Sequence, residues 1–165
     1  MSRALGYYEG PLREAIHRWK YQGKIYLSPL FGEWMARGFF RHWKVDLFDL
    51  VIPVPLHLQR LRERGFNQAL LLAKELSHRT GIPYRKHLLQ KREPTVPQVS
   101  LSGREREKGV KGAFHLGKGE AEGKRVLLVD DVYTIGATVN ECARVLLAGG
   151  AQRVDVLTLV HAVLR

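Results

Sequence analysis

A single cysteine, Cys142, stands in a chain of 165 residues, which excludes an intrachain disulfide and a cysteine-rich zinc site and makes a reducing compartment, the cytoplasm, the natural reading. Long apolar runs are also scarce. Arg3, Glu9, Arg13, Glu14, Arg18 and Lys20 interrupt the first twenty residues, so neither a secretory signal nor a membrane span is expected there. The 7 histidines include no H-E-x-x-H or comparable ligand spacing, so no zinc site is expected and no residue is assigned directly to a metal. Two common phosphate loops are missing as well. Neither G-x-x-x-x-G-K-[ST] nor G-x-G-x-x-G follows a strand, and the turn of Gly119 and Gly123-Lys124 misses the first by one residue while preceding its strand. No internal repeat or low-complexity tract is present.

Acidic residues are in deficit, 16 Asp plus Glu against 27 Lys plus Arg, and the imbalance is local. Residues 1 to 49 carry +3, residues 50 to 125 carry +9 and residues 126 to 165 carry −1. A basic middle attracts nucleic acid, an anionic membrane or a polyphosphate ligand, and the sum alone does not separate them. With 45% hydrophobic and 26% charged residues the composition is that of a globular protein, and the length fits one domain, 1–165, with an N-terminal helical part, 1–49, and a core, 50–165.

Along the chain, Pro11 to Tyr21 places Leu12, Ala15, Ile16 and Trp19 on one helical face, and a second helix is expected from Leu30 to about Arg41. The apolar run Leu50 to Val54 reads as a strand ending near Pro53 and Pro55, followed by a basic loop, His57 to Phe66, and a helix from Asn67 that stops at Thr80-Gly81. From His87 to Val110 the chain is polar and broken by Pro94 and Pro97, which predicts a flexible flap with a capping box at Ser102-Gly103-Arg104-Glu105. A short strand is expected at Ala113 to Leu116. The closing unit reads as strand Val126–Val129, loop, helix from about Gly136 to Leu147, the stop Gly149-Gly150, and strand Val154–Val160. That is a βαβ crossover, so the fold class is α/β with a parallel sheet flanked by helices, and ligands are expected beyond the carboxyl ends of the strands.

At such an end stand Asp130 and Asp131, followed by Val132-Tyr133-Thr134-Ile135-Gly136-Ala137-Thr138. Ionised carboxylates accept hydrogen bonds only, which suits vicinal sugar hydroxyls. Gly136 permits close backbone approach, and the N–H groups opening a helix, with the Thr134 and Thr138 hydroxyls, suit a phosphate dianion. Two adjacent carboxylates repel each other unless Mg²⁺ or a basic loop relieves them. The competing reading is a pair of acids that cap a helix or solvate a loop. Cys142, inside the following helix, reads as a packed thiol.

The strand, the acidic pair and the order Thr134-x-Gly136-x-Thr138 resemble the motif by which type I phosphoribosyltransferases bind phosphoribosyl pyrophosphate (PRPP). Three further stretches make the chain similar to the ComF branch (ComFC and GntX-like competence proteins), without the N-terminal zinc module: Tyr8-Glu9-Gly10-Pro11-Leu12-Arg13, Val54-Pro55-Leu56 through Arg60, Arg62, Arg64 and Gly65-Phe66-Asn67-Gln68, and Arg92 through Pro97-Gln98 to Leu101. The resemblance implies a type I phosphoribosyltransferase-like sheet with a flexible loop, Arg92 through Arg106, and a small hood. It implies that Asp130 and Asp131 hold the ribose hydroxyls, that Tyr133, Thr134, Ile135, Gly136, Ala137 and Thr138 hold the 5′-phosphate, and that Arg60, Arg62 and Arg64 lie near the pyrophosphate. Asp130, Asp131 and Arg92 would then be catalytic, with Mg²⁺ accompanying PRPP or ribose 5-phosphate. The acidic residue that hypoxanthine-type relatives place at Thr134 is missing, which disfavours purine salvage. The same resemblance implies a second class of function: a binding protein in DNA uptake, in contact with single-stranded DNA or the competence machinery. Homo-oligomerisation is left open. Alternating arginines are also common on solvated loops, as are charged, proline-broken segments such as the one holding Arg92, Arg104 and Arg106.

Overall fold

Strand β5 (Arg125–Tyr133) lies inside a four-stranded, all-parallel sheet of order β1-β6-β5-β2, with β1 at Ser2–Tyr7, β2 at Leu50–Pro53 and β6 at Arg153–His161. These elements come from a computed structural model that describes residues 1–92, 110–117 and 119–162. Val126 to Val129 are inaccessible to solvent, and the period-2 alternation of a strand divides them between two cores. Leu127 and Val129 join Val51, Leu157 and Leu159 against α1 (Gly10–Tyr21), α2 (Ser28–His42) and α4 (Gln68–Thr80), through Ile16, Trp19, Met35, Phe39, Leu72 and Leu76. Val126 and Leu128 join Ile52 and Val156 on the other face, against Val139, Cys142 and Leu146 of α5 (Ala137–Ala148). Leu89 and Phe114 close that second core. They belong to an antiparallel pair, β3 (Leu89–Lys91) with β4 (Phe114–Leu116).

The helices follow their apolar stripes. In α1, Ile16 and Trp19 are fully buried, and the Trp19 indole donates to Ser28 Oγ at 2.9 Å, which pins the end of α1 to the start of α2. Gly38 lets α2 approach the edge strand, since a Cβ there would collide with the Leu5 side chain.

Three expectations are corrected. The N-terminal part is not wholly helical: it opens with β1, whose alternation is too weak to read in six residues but whose backbone pairs in parallel with β6 from Ser2 to Tyr7. The basic stretch after β2 is not an open loop, because Leu58–Arg64 forms a short helix, α3, capped by the His57 ring, which accepts from Gln59 N–H at 3.1 Å, and ended by left-handed Gly65. The strand expected to stop at Val129 continues to Tyr133. Asp130, Val132 and Tyr133 extend the ladder opposite Thr158, Val160 and His161, and the pairing partner outweighs the poor strand propensity of aspartate. The capping box, Pro94, Pro97, Arg104 and Arg106 lie outside the described residues.

Candidate functional site

Because β5 continues through the acidic pair, alternation sends Asp130 and Asp131 to opposite faces of the sheet. Asp131, buried, faces the core of α1, α2 and α4, where Lys20 of α1 places Nζ 2.8 Å from Asp131 Oδ2. Only about a tenth of either side chain is exposed, at 12% and 11%. Asp130 faces the α5 side and accepts the Asp131 backbone N–H at 2.8 Å. Burial, and next the neighbouring Asp131 carboxylate, push the Asp130 pKa up to about 7, against the Asp131 N–H, Lys20 and Lys91. Lys91, at the end of β3, stands over the Phe114 ring at 5.3 Å. Burial lowers its pKa, Cys142 and Asp130 oppose that shift, and Arg60 adds to it. The repulsion expected between the carboxylates persists in the raised Asp130 pKa, and the Lys20 ion pair and the more distant charge of Lys91 offset part of it.

Neither lysine was singled out from sequence. Lys20 had a legible signal, since it follows Ile16 by four positions and so lies on the buried stripe of α1. Lys91 had none, because its burial depends on pairing with β4.

Of the candidate phosphate-loop residues Tyr133 to Thr138, only Thr134, Ile135 and Gly136 lie between strand and helix. Gly136 caps α5 at φ 80°, and a Cβ there would strike the Tyr133 hydroxyl. Tyr133 thus shapes the turn, its ring braced edge-on by His161 at 5.2 Å. Among the described residues no side chain caps the helix start, so its first N–H groups lack a side-chain acceptor. Thr134 and Ile135 are exposed, and Ala137 and Thr138 are partly exposed.

The three arginines are not equivalent. On helix α3, Arg60 and Arg64 lie four residues apart on one face and Arg62 points elsewhere. Arg60 is exposed and close enough to influence Lys91. Arg64 is held over the Tyr21 ring at 4.9 Å and donates to the Tyr21 hydroxyl at 3.1 Å. Arg92 is exposed just beyond β3, its backbone N–H donating to Ala113 O at 2.8 Å. The opposite end of the same connection is anchored where Glu141 of α5 accepts the Gly112 N–H at 2.7 Å. Cys142 is inaccessible, and burial raises its pKa far above the ordinary thiol value, which leaves it packed and unreactive.

Among the described residues no cluster of three or more His, Cys, Asp or Glu could hold a metal ion. Asp130 and Asp131, on opposite faces of the sheet and with Asp131 in an ion pair, do not make a protein-built metal cage. No described helix is long and apolar enough to cross a membrane.

Comparison with known proteins agrees with this fold. Residues 66–163 match the model of the phosphoribosyl transferase domain. The chain is 34% identical over 163 residues to competence protein F of Haemophilus influenzae, covering 96% of this chain and 71% of that one. It is 32% identical to DNA utilization protein YhgH of Salmonella typhimurium, covering 92% and 68%, and 31% identical to competence protein ComFC of Bacillus subtilis, covering 98% and 64%. Among solved structures, glutamine PRPP amidotransferase of B. subtilis, complexed with ADP and GMP, superposes with TM-score 0.54 at 25% identity over 79% of this chain. This chain spans only a quarter of that enzyme's length.

Proposed function

The chain belongs to the ComF family of phosphoribosyl transferase domain proteins, and from that premise we propose that it binds PRPP, or ribose 5-phosphate, with Mg²⁺ and transfers the phosphoribosyl group to a nitrogen acceptor. One observation carries the reading. An acidic strand end runs through a three-residue turn into a helix whose first N–H groups have no side-chain cap.

In this scheme Asp130 accepts hydrogen bonds from the ribose hydroxyls on its own face of the sheet, and Asp131 takes part by exchanging its Lys20 contact for a hydroxyl at the strand end. The backbone from Gly136 to Thr138, with the Thr134 and Thr138 hydroxyls, holds the 5′-phosphate at the positive end of the α5 dipole. The acceptor nitrogen forms a bond to the anomeric carbon as the bond to the diphosphate oxygen breaks, and positive charge develops on the sugar. When bound, Mg²⁺ would neutralise charge on the departing diphosphate. Arg60 is the exposed cation of α3 best placed to meet that group, with Arg92 at the foot of the neighbouring hairpin.

The experiment is a calorimetric titration of Mg²⁺ and PRPP into the wild type and Asp131→Asn, with ribose 5-phosphate and single-stranded DNA as comparison ligands. PRPP binding that weakens at least about tenfold in the variant supports the reading. Absence of PRPP binding sinks it. Diphosphate release with candidate bases and amines then tests transfer itself.

A second reading has its own support in the +9 of residues 50 to 125 and in the competence and DNA-utilization names of the relatives. Here the phosphoribosyltransferase fold is a binding module in DNA uptake. DNA held through its backbone would bind with a steep salt dependence, equally in wild type and Asp131→Asn.

A further inference from the structure

At the carboxyl ends of the sheet three aromatic rings stand in one row. Tyr7 of β1 is in register with His161 of β6, and His161 with Tyr133 of β5. The Tyr7 and His161 rings lie 6.4 Å apart at an interplanar angle of 30°, and Tyr133 meets His161 at 5.2 Å and 75°. Val132 and Val160, which precede Tyr133 and His161, pack into the core of α1, α2 and α4, so alternation turns the row towards the α5 side of the sheet. Tyr133 packs there and closes on the turn at Gly136. At the far end Tyr7 is 62% exposed, and His161 between them is partly exposed. The row thus runs from the turn to an open aromatic face at the edge of the sheet.

The order of the strands gives this row its chemistry. β5 stands between β6 and β2, and β2 leads to α3 with Arg60. A sugar held at the end of β5 has cations for a departing diphosphate on one side and the aromatic row on the other, and displacement at the anomeric carbon needs the incoming nitrogen opposite the leaving oxygen. An alkylamine, with a pKa of about 10, is protonated at neutral pH and has no lone pair for attack, whereas a neutral heterocycle keeps one on a ring nitrogen. Aromatic side chains hold such a flat ring by stacking, and the His161 imidazole offers polar atoms to its edge. We propose that Tyr7, His161 and Tyr133 form a stacking subsite for a planar nitrogen heterocycle, and that a ring of this class is the acceptor. The subsite rests on the reading of the turn as a ribose 5-phosphate site and adds the acceptor class to it. As the bond from the ring nitrogen to the anomeric carbon forms and the bond to the diphosphate oxygen breaks, the electron pair stays on the diphosphate, which takes up the proton shed by the ring.

Calorimetric titration of ribose 5-phosphate, AMP and UMP into the wild type, Tyr7→Ala, Tyr7→Phe and His161→Ala separates the row from the turn. In the wild type the tighter-bound nucleotide should exceed ribose 5-phosphate in affinity at least about fivefold, the lower end of what one base–aromatic stack contributes. Tyr7→Ala should remove most of that gain and leave ribose 5-phosphate affinity unchanged, and Tyr7→Phe, which keeps the ring, should retain it. His161→Ala should act in the same direction as Tyr7→Ala. Because Tyr7 lies largely in solvent, its truncation tests the row without disturbing the core. If ribose 5-phosphate binds and neither nucleotide binds more tightly, or if the gain survives both alanine variants, the subsite is overturned while the reading of the turn stands. A Tyr7→Ala variant that loses ribose 5-phosphate and nucleotide affinity alike would make the row merely structural and overturn it too. If none of the three ligands binds, the subsite and the reading of the turn fall together.

Discussion

Two strand-to-helix junctions lie side by side in this sheet and are finished in opposite ways. After β5, three residues lead into α5, whose N-cap is Gly136 and whose first N–H groups meet no side chain among the described residues. After β2, the connection carries the arginine helix α3, and α4 begins at Asn67, whose side chain accepts Leu70 N–H at 3.3 Å and donates to Val54 O at 3.1 Å. One helix start has no side-chain cap among the described residues and the other is sealed by its own cap. The same supersecondary unit thus leaves an uncapped helix start at one junction and carries a short arginine-bearing helix at the other. The difference lies in two residues, a glycine and an asparagine.

Replacing Gly136 by valine should break the comparison most severely. It forces a β-branched side chain to φ 80° and drives it into the Tyr133 hydroxyl, at a cost of about 1–3 kcal/mol, and denaturant melts should show this together with loss of ribose 5-phosphate binding. The smaller Gly136→Ala should recover part of its stability when combined with Tyr133→Phe, which removes the colliding atom. Next in size, Arg60→Ala should weaken PRPP binding about tenfold, the scale of one charge-assisted hydrogen bond, and leave ribose 5-phosphate binding intact. Arg62→Ala, on another face of α3, should change neither in calorimetric titration. Equal losses from the two variants would show that both faces of α3 contribute alike to PRPP binding.

At the sealed junction, Asn67→Ala should cost about 1 kcal/mol of stability without altering ribose 5-phosphate affinity. A loss of affinity there would mean that α4 also takes part in anion binding. The smallest effect concerns the anchor at Gly112. The Arg144 guanidinium, and next the Gly112 N–H, hold the Glu141 pKa down to about 2 against burial. Because the folded value lies below the ordinary 4.5, the anchoring is complete above that value and is lost as pH falls towards about 2. The Gly112 amide resonance should shift over that range in wild type and stay flat in Glu141→Gln.

The candidate phosphate cradle was legible because its parts are adjacent in the chain. A buried apolar run, two acids, a glycine and flanking threonines declare a strand, a turn and a helix start locally. The arginines were legible as charges and not as a geometry, since the same spacing of two residues lines one side of an extended loop but scatters over a helix. Strand β1 was missed for a related reason. Six residues with an exposed outer face carry little pattern, and what makes them a strand is the unpaired edge of β6 that accepts them.

By itself the sequence determined the sheet-centre strand, the helices with apolar stripes, and the acidic pair leading into Gly136, all of which rest on periodicity and residue chemistry within a few positions. Only the tertiary structure decided that β5 runs through Asp130 to Tyr133, that its two carboxylates part to opposite faces, and that Lys20 pairs with one of them. The physical reason is that strand pairing and desolvation are properties of neighbours in space. A lysine on α1 becomes a counter-ion only when the core of Ile16, Trp19 and Leu127 packs that helix against the sheet.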